Sequence, residues 1–360
     1  MSTKLRVGII GCGAIAFNKH LPALKKLDNV EIAAFCNRNI EKAHIAAKQF
    51  GADNAKVYED YRQLLDDKAI DVVYVLTSNK THSSITIEAL LSGKHVMCEK
   101  PMAINSKEAE GMIQASKKSG KKLSIALQNR FRPDSQYLHK LCRNGELGEI
   151  YFAKAHALRR RAVPVWGEFL NKDMQGGGAL IDIGVHALDL TLWLMNNYDV
   201  KYVVGNVYNK ISQNADSFNV WGSWKEKSFS VEESGFGYVT MKNGATIFLE
   251  CSWALNILQE DEAKVTLCGT KAGADMLDGV RINGEKYGQL YTLKPALEEN
   301  SVKFYKGPLE SAAEMETRLF IDSIINDKEP YVKPEEVLVV TKIIDAIYES
   351  SRTGKPVYFE

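Results

Sequence analysis

The chain has 360 residues, with 46 Lys and Arg against 45 Asp and Glu and a formal net charge of +1. Its length predicts two domains, and its balanced charge leaves no electrostatic footprint for nucleic acid or an acidic membrane. Six cysteines at 12, 36, 98, 142, 251 and 268, without Cys-x-x-Cys spacing or a clustering with histidines that would suggest zinc, predict reduced thiols and no metal site. No apolar run approaches the roughly 18 residues of a membrane span, and the first apolar segment leads into a glycine turn rather than a cleavage site. A cytoplasmic location is the expectation.

Residues 5–10 form a short apolar run broken by Gly11, and 14–27 read as the following helix. Strands at 30–36, 56–58, 72–76, 95–98 and 123–127 then alternate with helices at 40–50, 81–92 and 106–119. This alternation, with strand cores that are continuously apolar, predicts an α/β fold with a doubly wound parallel sheet buried on both faces over residues 1–127. From 128 to 360 the rhythm changes. A helix at 133–144 leads into β-like segments at 149–158, 200–208, 236–241, 245–253 and 263–267, joined by polar turns, and helices at 312–326 and 334–351 close the chain. That pattern predicts an α+β domain with an open mixed or antiparallel sheet.

Gly11-Cys12-Gly13-Ala14-Ile15-Ala16 lies between the first strand and the first helix. Gly11 permits the tight turn, Gly13 lets backbone approach a pyrophosphate, and Ala16 lets the helix pack close to the strand. The exposed N–H groups of this turn and the helix dipole suit the anion. About 20 residues on, where an acid would hold the ribose of NAD, the chain reads Asn37-Arg38. Without the acid nothing repels a 2′-phosphate, and Arg38 suits one, which tilts the NAD(P) choice toward NADP. The other reading has Arg38 solvated and Asn37 bonding the ribose of NAD.

Glu99-Lys100-Pro101 ends a parallel strand, where open α/β sheets bind ligands. Asp182 and His186, four apart on a helix that is otherwise nearly all apolar, predict a carboxylate that orients an imidazole for proton transfer, with Asp189 near the same stripe. Gly176-Gly177-Gly178 precede them and suit close approach to a ligand. Arg130, His156, Arg159-Arg160-Arg161, Trp166 and Lys172 supply cations and an aromatic for a polyhydroxylated or anionic sugar.

As an ordered set these motifs, with His20, Thr77-Ser78-Asn79, His82 and Asn129-Arg130-Phe131, resemble the Gfo/Idh/MocA family over essentially the whole chain. The resemblance implies a Rossmann domain followed by a domain whose sheet often makes dimer or tetramer contacts. It also implies hydride transfer between nicotinamide and a secondary alcohol of a sugar, sugar phosphate or cyclitol. Lys100 and His186 would stand at the reacting hydroxyl, Asp182 behind the histidine, and a cis bond would precede Pro101. Cofactor contacts are implied for Gly11, Gly13, Ala14, Ile15, Asn37, Arg38, Thr77, Ser78, Asn79, His82, Glu99, Lys100 and Gln128, and substrate contacts for Arg130, His156, Arg159, Trp166, Lys172 and His186. Two other readings share the motifs: redox-assisted glycosidase or lyase chemistry without net oxidation, and a non-catalytic dinucleotide sensor.

Overall fold

The computed structural model describes residues 4–214, 216–225, 228–297 and 310–360. The chain divides into two units, one running to Gln128 and including Glu310–Leu338, the other comprising Asn129–Leu309 and Val339–Glu360.

In the first unit, strands β1 (Leu5–Ile10), β2 (Val30–Cys36), β3 (Lys56–Tyr58), β4 (Val72–Val75), β5 (His95–Glu99) and β6 (Leu123–Ala126) form a parallel sheet in the order β3-β2-β1-β4-β5-β6. The strand order reverses between β1 and β4, the switch point at which such sheets bind ligands beyond their carboxyl ends. Val7, Ile9, Val72, Tyr74, Val75 and Val96 are fully buried, as expected of a sheet covered on both faces. The helices are α1 (Leu21–Lys25), α2 (Ile40–Phe50), α3 (Tyr61–Asp66), α4 (Asn79–Leu91) and α5 (Ser106–Ser119). Side chains of Asn39, Asp60 and Asn105 cap α2, α3 and α5 by accepting from Glu41, Arg62 and Glu108 N–H. The single helix expected over 14–27 contains a π-turn at Ala16–His20 before α1. Lys19 and His20, at its end, are buried.

The expected contiguous second domain differs from the structure in one respect. Residues 310–338 return to the first unit, where α9 (Ala312–Ile325) sets Phe320 and Ile321 into the same apolar cluster as Val7, Ile9, Tyr74 and Met97. Helix α10 (Pro334–Thr353) begins in the first unit and ends in the second.

The second unit holds α6 (Pro133–Arg143), α7 (Lys172–Gln175) and α8 (Val185–Met195) with a nine-stranded sheet. Its strands are β7 (Ile150–Leu158), β8 (Val200–Tyr208), β9 (Ser234–Met241), β10 (Thr246–Ser252), β11 (Asp261–Gly269), β12 (Ala272–Asp275), β13 (Arg281–Lys286), β14 (Gln289–Leu293) and β15 (Val357–Tyr358). They lie in the order β14-β13-β12-β11-β7-β10-β9-β8-β15. Only the β7–β10 pairing is parallel, so the sheet is mixed. Along β7, Ala153, Ala155 and Ala157 are buried on the face that carries α8, while Phe152, Lys154 and His156 alternate to the other. Contrary to the expectation that no membrane-length stretch exists, Lys172–Met195 is long and apolar enough, but its most apolar window is 83% buried inside the protein. It is a core helix.

Candidate active site

Gly11, Asn37, Thr77, Lys100 and Gln128 all lie just beyond the carboxyl ends of their strands, on one edge of the parallel sheet. Gly11 has φ 101°, and a Cβ there would lie 2.5 Å from Leu76 O, so the turn requires glycine. Gly11 N donates to Cys36 O, and Cys12 N donates to Asn37 Oδ1 at 3.0 Å. A Cβ on Gly13 meets nothing within 4 Å, and Ala14 and Ile15 are exposed at the start of the helix. This open helix-terminal cradle fits a dinucleotide pyrophosphate. Asn37 also donates to Asn39 O, which commits its amide to local structure, and Arg38 is exposed.

The two glycine roles separate by measurement. Gly13→Ala is expected to leave the denaturation midpoint nearly unchanged while weakening dinucleotide binding. Gly178→Ala, whose Cβ would lie 1.9 Å from Glu232 O, is expected to cost about 1–3 kcal/mol of stability.

Lys100 follows β5 half-buried, and its bond to Pro101 is cis. Its backbone N–H donates to Glu99 Oε2 at 2.9 Å. The other oxygen of Glu99 accepts from Lys19 Nζ at 2.9 Å and His20 Nε2 at 2.8 Å. Lys19 Nζ also lies 3.0 Å from Glu316 Oε2. Burial opposes ionisation of Glu99, but Lys19 and His20 overcome it and hold its pKa well below the usual carboxylate range. Glu316, buried and beside Glu99, is raised to about 7.

The Glu99 carboxylate, expected at the cofactor, is buried and filled by internal donors, and it braces Lys100.

His82, expected at the cofactor, is fully buried, with Nδ1 2.7 Å from Pro101 O and Nε2 3.0 Å from Thr77 O, so it ties the Lys100 loop to the β4 loop. Burial lowers its pKa, against the two carbonyls, which favour the proton. Thr77 and Ser78 are bound to Thr81 at the start of α4, where Asn79 is the first residue, and Gln128 is half-buried after β6.

In the second unit, Asp182 lies in a π-turn at Leu180–Gly184, and His186 is the second residue of α8. From 177 to 194 every residue is buried except these two, which are half-buried. The widened turn replaces the uninterrupted α-helix expected here; such turns recur at functional sites. Trp253, absent from the expected site, donates from Nε1 to Asp182 Oδ2 at 3.1 Å.

Of the preceding glycines, Gly177 and Gly178 are close-packed against protein. A Cβ on Gly177 would meet Tyr348 Oη at 1.9 Å, and Gly178 N and Leu180 N donate to buried Glu232, which also accepts from Tyr348 Oη.

Of the expected substrate contacts, two have other posts. Arg130 is fully buried, its Nε and terminal nitrogen held by Asp189 at 2.9 and 2.6 Å. That fork is a structural ion pair and leaves Arg130 no surface for substrate. His156 lies on the sheet face opposite α8, between Glu250 at 3.0 Å and Thr266 at 3.2 Å. Arg159 pairs with Glu262 through two contacts of 2.6 Å and lies over Trp221. Trp166 and Lys172 are exposed. Among the described residues no group of three or more His, Cys, Asp or Glu side chains is placed to hold a metal ion.

Two family models match the chain: an oxidoreductase NAD-binding Rossmann fold (Gfo/Idh/MocA) over residues 5–127 and the corresponding C-terminal α/β domain over 139–359. The D-glucoside 3-dehydrogenase of Escherichia coli is 36% identical over 353 residues, 98% of this chain and 97% of that protein. The inositol 2-dehydrogenase of Salmonella typhimurium is 30% identical over 194 residues, 53% of this chain and 55% of that one. The aldose-aldose oxidoreductase of Caulobacter crescentus, solved with glycerol, superposes with a TM-score of 0.80 at 26% identity, covering 99% of this chain and 100% of that one.

Proposed function

The chain belongs to the Gfo/Idh/MocA oxidoreductase family, and on that footing we propose that it moves a hydride between NAD(P) and a secondary hydroxyl of a sugar or cyclitol. The observation that carries the reading is Lys100, held by Glu99 and the His82 clamp on the same sheet edge as the Gly11–Gly13 cradle. The nicotinamide, when bound, supplies the two-electron acceptor or donor.

Gly11, Gly13, Ala14 and Ile15 hold the pyrophosphate. Arg38, exposed and without an acidic neighbour at the ribose position, favours the 2′-phosphate of NADP. In the oxidation direction His186 takes the hydroxyl proton. Asp182, its own geometry fixed by Trp253, favours the charged imidazole. Lys100 donates a hydrogen bond to the oxygen as negative charge develops.

The outer face of the nine-stranded sheet carries touching aromatics, Phe152, Phe248, Tyr238, Tyr202 and Tyr358. This patch supports a homodimer or homotetramer through that face. All six cysteines are free, which suits a reducing cytoplasmic compartment.

The test is nicotinamide absorbance during turnover of glucosides, aldoses and inositols with NAD and with NADP. Net reduction with at least one substrate is expected, with NADP used more efficiently. Asp182→Asn is expected to lower kcat by about 10²–10⁴-fold, in the range of a lost acid–base function. Product without net cofactor reduction would instead assign transient oxidation to the same groups.

A further inference from the structure

Resting on that reading, we propose that Trp166 and Trp221 form a preformed subsite for a ring-shaped aglycone, so that the preferred substrate is a neutral glycoside rather than a free or phosphorylated sugar. Of the five tryptophans, Trp193, Trp224 and Trp253 are buried, whereas Trp166 and Trp221 are 51% and 42% exposed. These two meet edge to face at 5.0 Å. Two large exposed indoles in contact form an apolar surface that water solvates poorly and that the apolar face of a ring covers well.

The pair is held before any ligand arrives. Phe169 braces Trp166 at 5.9 Å, and the Arg159 guanidinium sits 5.1 Å over Trp221. Buried Asn219 ties the two loops together: its Oδ1 accepts from Val163 N at 2.8 Å, and its Nδ2 donates to Val163 O and Gly222 O. A surface already fixed loses little entropy on binding.

The subsite also has a defined relation to the reacting groups of this unit. Phe169 contacts Trp253 at 6.5 Å, and Trp253 donates to Asp182. Trp166 thus lies two ring contacts, and Trp221 three, from the residue that holds the Asp182 carboxylate, which puts the exposed pair in the neighbourhood of this unit's acid–base group. The Arg159 guanidinium, whose charge burial opposes and Glu262 and then Asp182 favour, is already paired with Glu262 through both forks. It brings no spare charge for a phosphate.

The experiment compares kcat/KM for phenyl glucoside, methyl glucoside, glucose and glucose 6-phosphate in the wild type, Trp166→Phe and Trp166→Ala/Trp221→Ala. The phenyl-to-methyl ratio is expected to be about tenfold or more in the wild type, the worth of one good aromatic contact. It should fall to near one in the double alanine variant and be largely kept in Trp166→Phe. Tryptophan fluorescence during titration with phenyl glucoside reads binding apart from turnover, and its change should vanish in the double variant. Absence of that change in the wild type, or a preference for glucose 6-phosphate, overturns the subsite. Binding of phenyl glucoside without turnover of any of the four sugars keeps the subsite and overturns glucosides as the substrate, while the dehydrogenase reading stands or falls on the wider test with aldoses and inositols.

Discussion

Lys100→Met is expected to lower kcat by about 10²–10⁴-fold, the range for losing a positioned proton-transfer or oxyanion-stabilising group, while dinucleotide affinity changes far less. The substitution keeps length and removes the charge. The backbone it sits on is fixed independently: Lys100 N donates to Glu99, and Pro101 O is held by His82 at 2.7 Å. The loop therefore retains its course in the variant, and the loss reports the amine itself. In the proposed reading the cofactor is held mainly by the Gly11–Ile15 turn, whose Gly11 and Cys12 N–H groups donate to Cys36 O and Asn37 Oδ1 and which the substitution does not touch. Single-turnover kinetics and a fluorescence titration of the dinucleotide separate the two quantities. A kcat equal to the wild type would remove Lys100 from the chemistry.

The position of Lys100 was readable in the sequence because it depends on local signals: an apolar strand and the proline that follows it. The same holds for Gly11 and Gly13, and for the parallel sheet, whose strands are continuous apolar runs. Strands β12 to β14 escaped notice because they are short and lack a continuous apolar run, and β14 is exposed along its whole length. Their pairing comes from neighbours rather than from their own pattern. The return of 310–338 to the first unit has no local signature either, since an amphipathic helix does not say which core it covers.

At the site, residue type was readable but partner was not. Arg130 and Asp189 lie 59 positions apart, and His156 and Glu250 lie 94 apart. A cation near a predicted pocket and a cation sealed in an ion pair look alike until the fold sets the second charge. The glycine triplet announced a close approach, yet only packing shows that Tyr348 and Glu232 are what it approaches.

The second large effect is expected at Lys19, one charge shared by two buried carboxylates. Its Nζ lies 2.9 Å from Glu99 and 3.0 Å from Glu316, and all three residues are less than 10% exposed. Lys19→Met leaves buried Glu316 with no cation and Glu99 with only the His20 ring, which is expected to cost about 3–5 kcal/mol, a large share of the stability of an ordinary domain.

The pH dependence tests the cause. In the wild type Glu99 is depressed, so its contribution is present above its unfolded value near 4.5 and lost as pH falls through the lower folded value. Glu316 is raised to about 7, so its contribution is present below 4.5 and lost as pH rises toward 7. Lys19 lowers both groups. Without it both folded values rise, both sites take up protons more readily, and the deficit of the variant shrinks as pH falls from 8 toward 5. Urea denaturation at pH 8, 6.5 and 5 measures this. Adding Glu316→Gln to Lys19→Met removes one of the stranded charges and should restore part of the loss at pH 8, a coupling expected only between groups in direct contact. A deficit that stays constant with pH, with no recovery in the double variant, would mean that Lys19 acts through its packed stem alone. Because Glu99 also holds Lys100 N, the charge reading further requires that kcat fall in Lys19→Met at temperatures well below its unfolding midpoint.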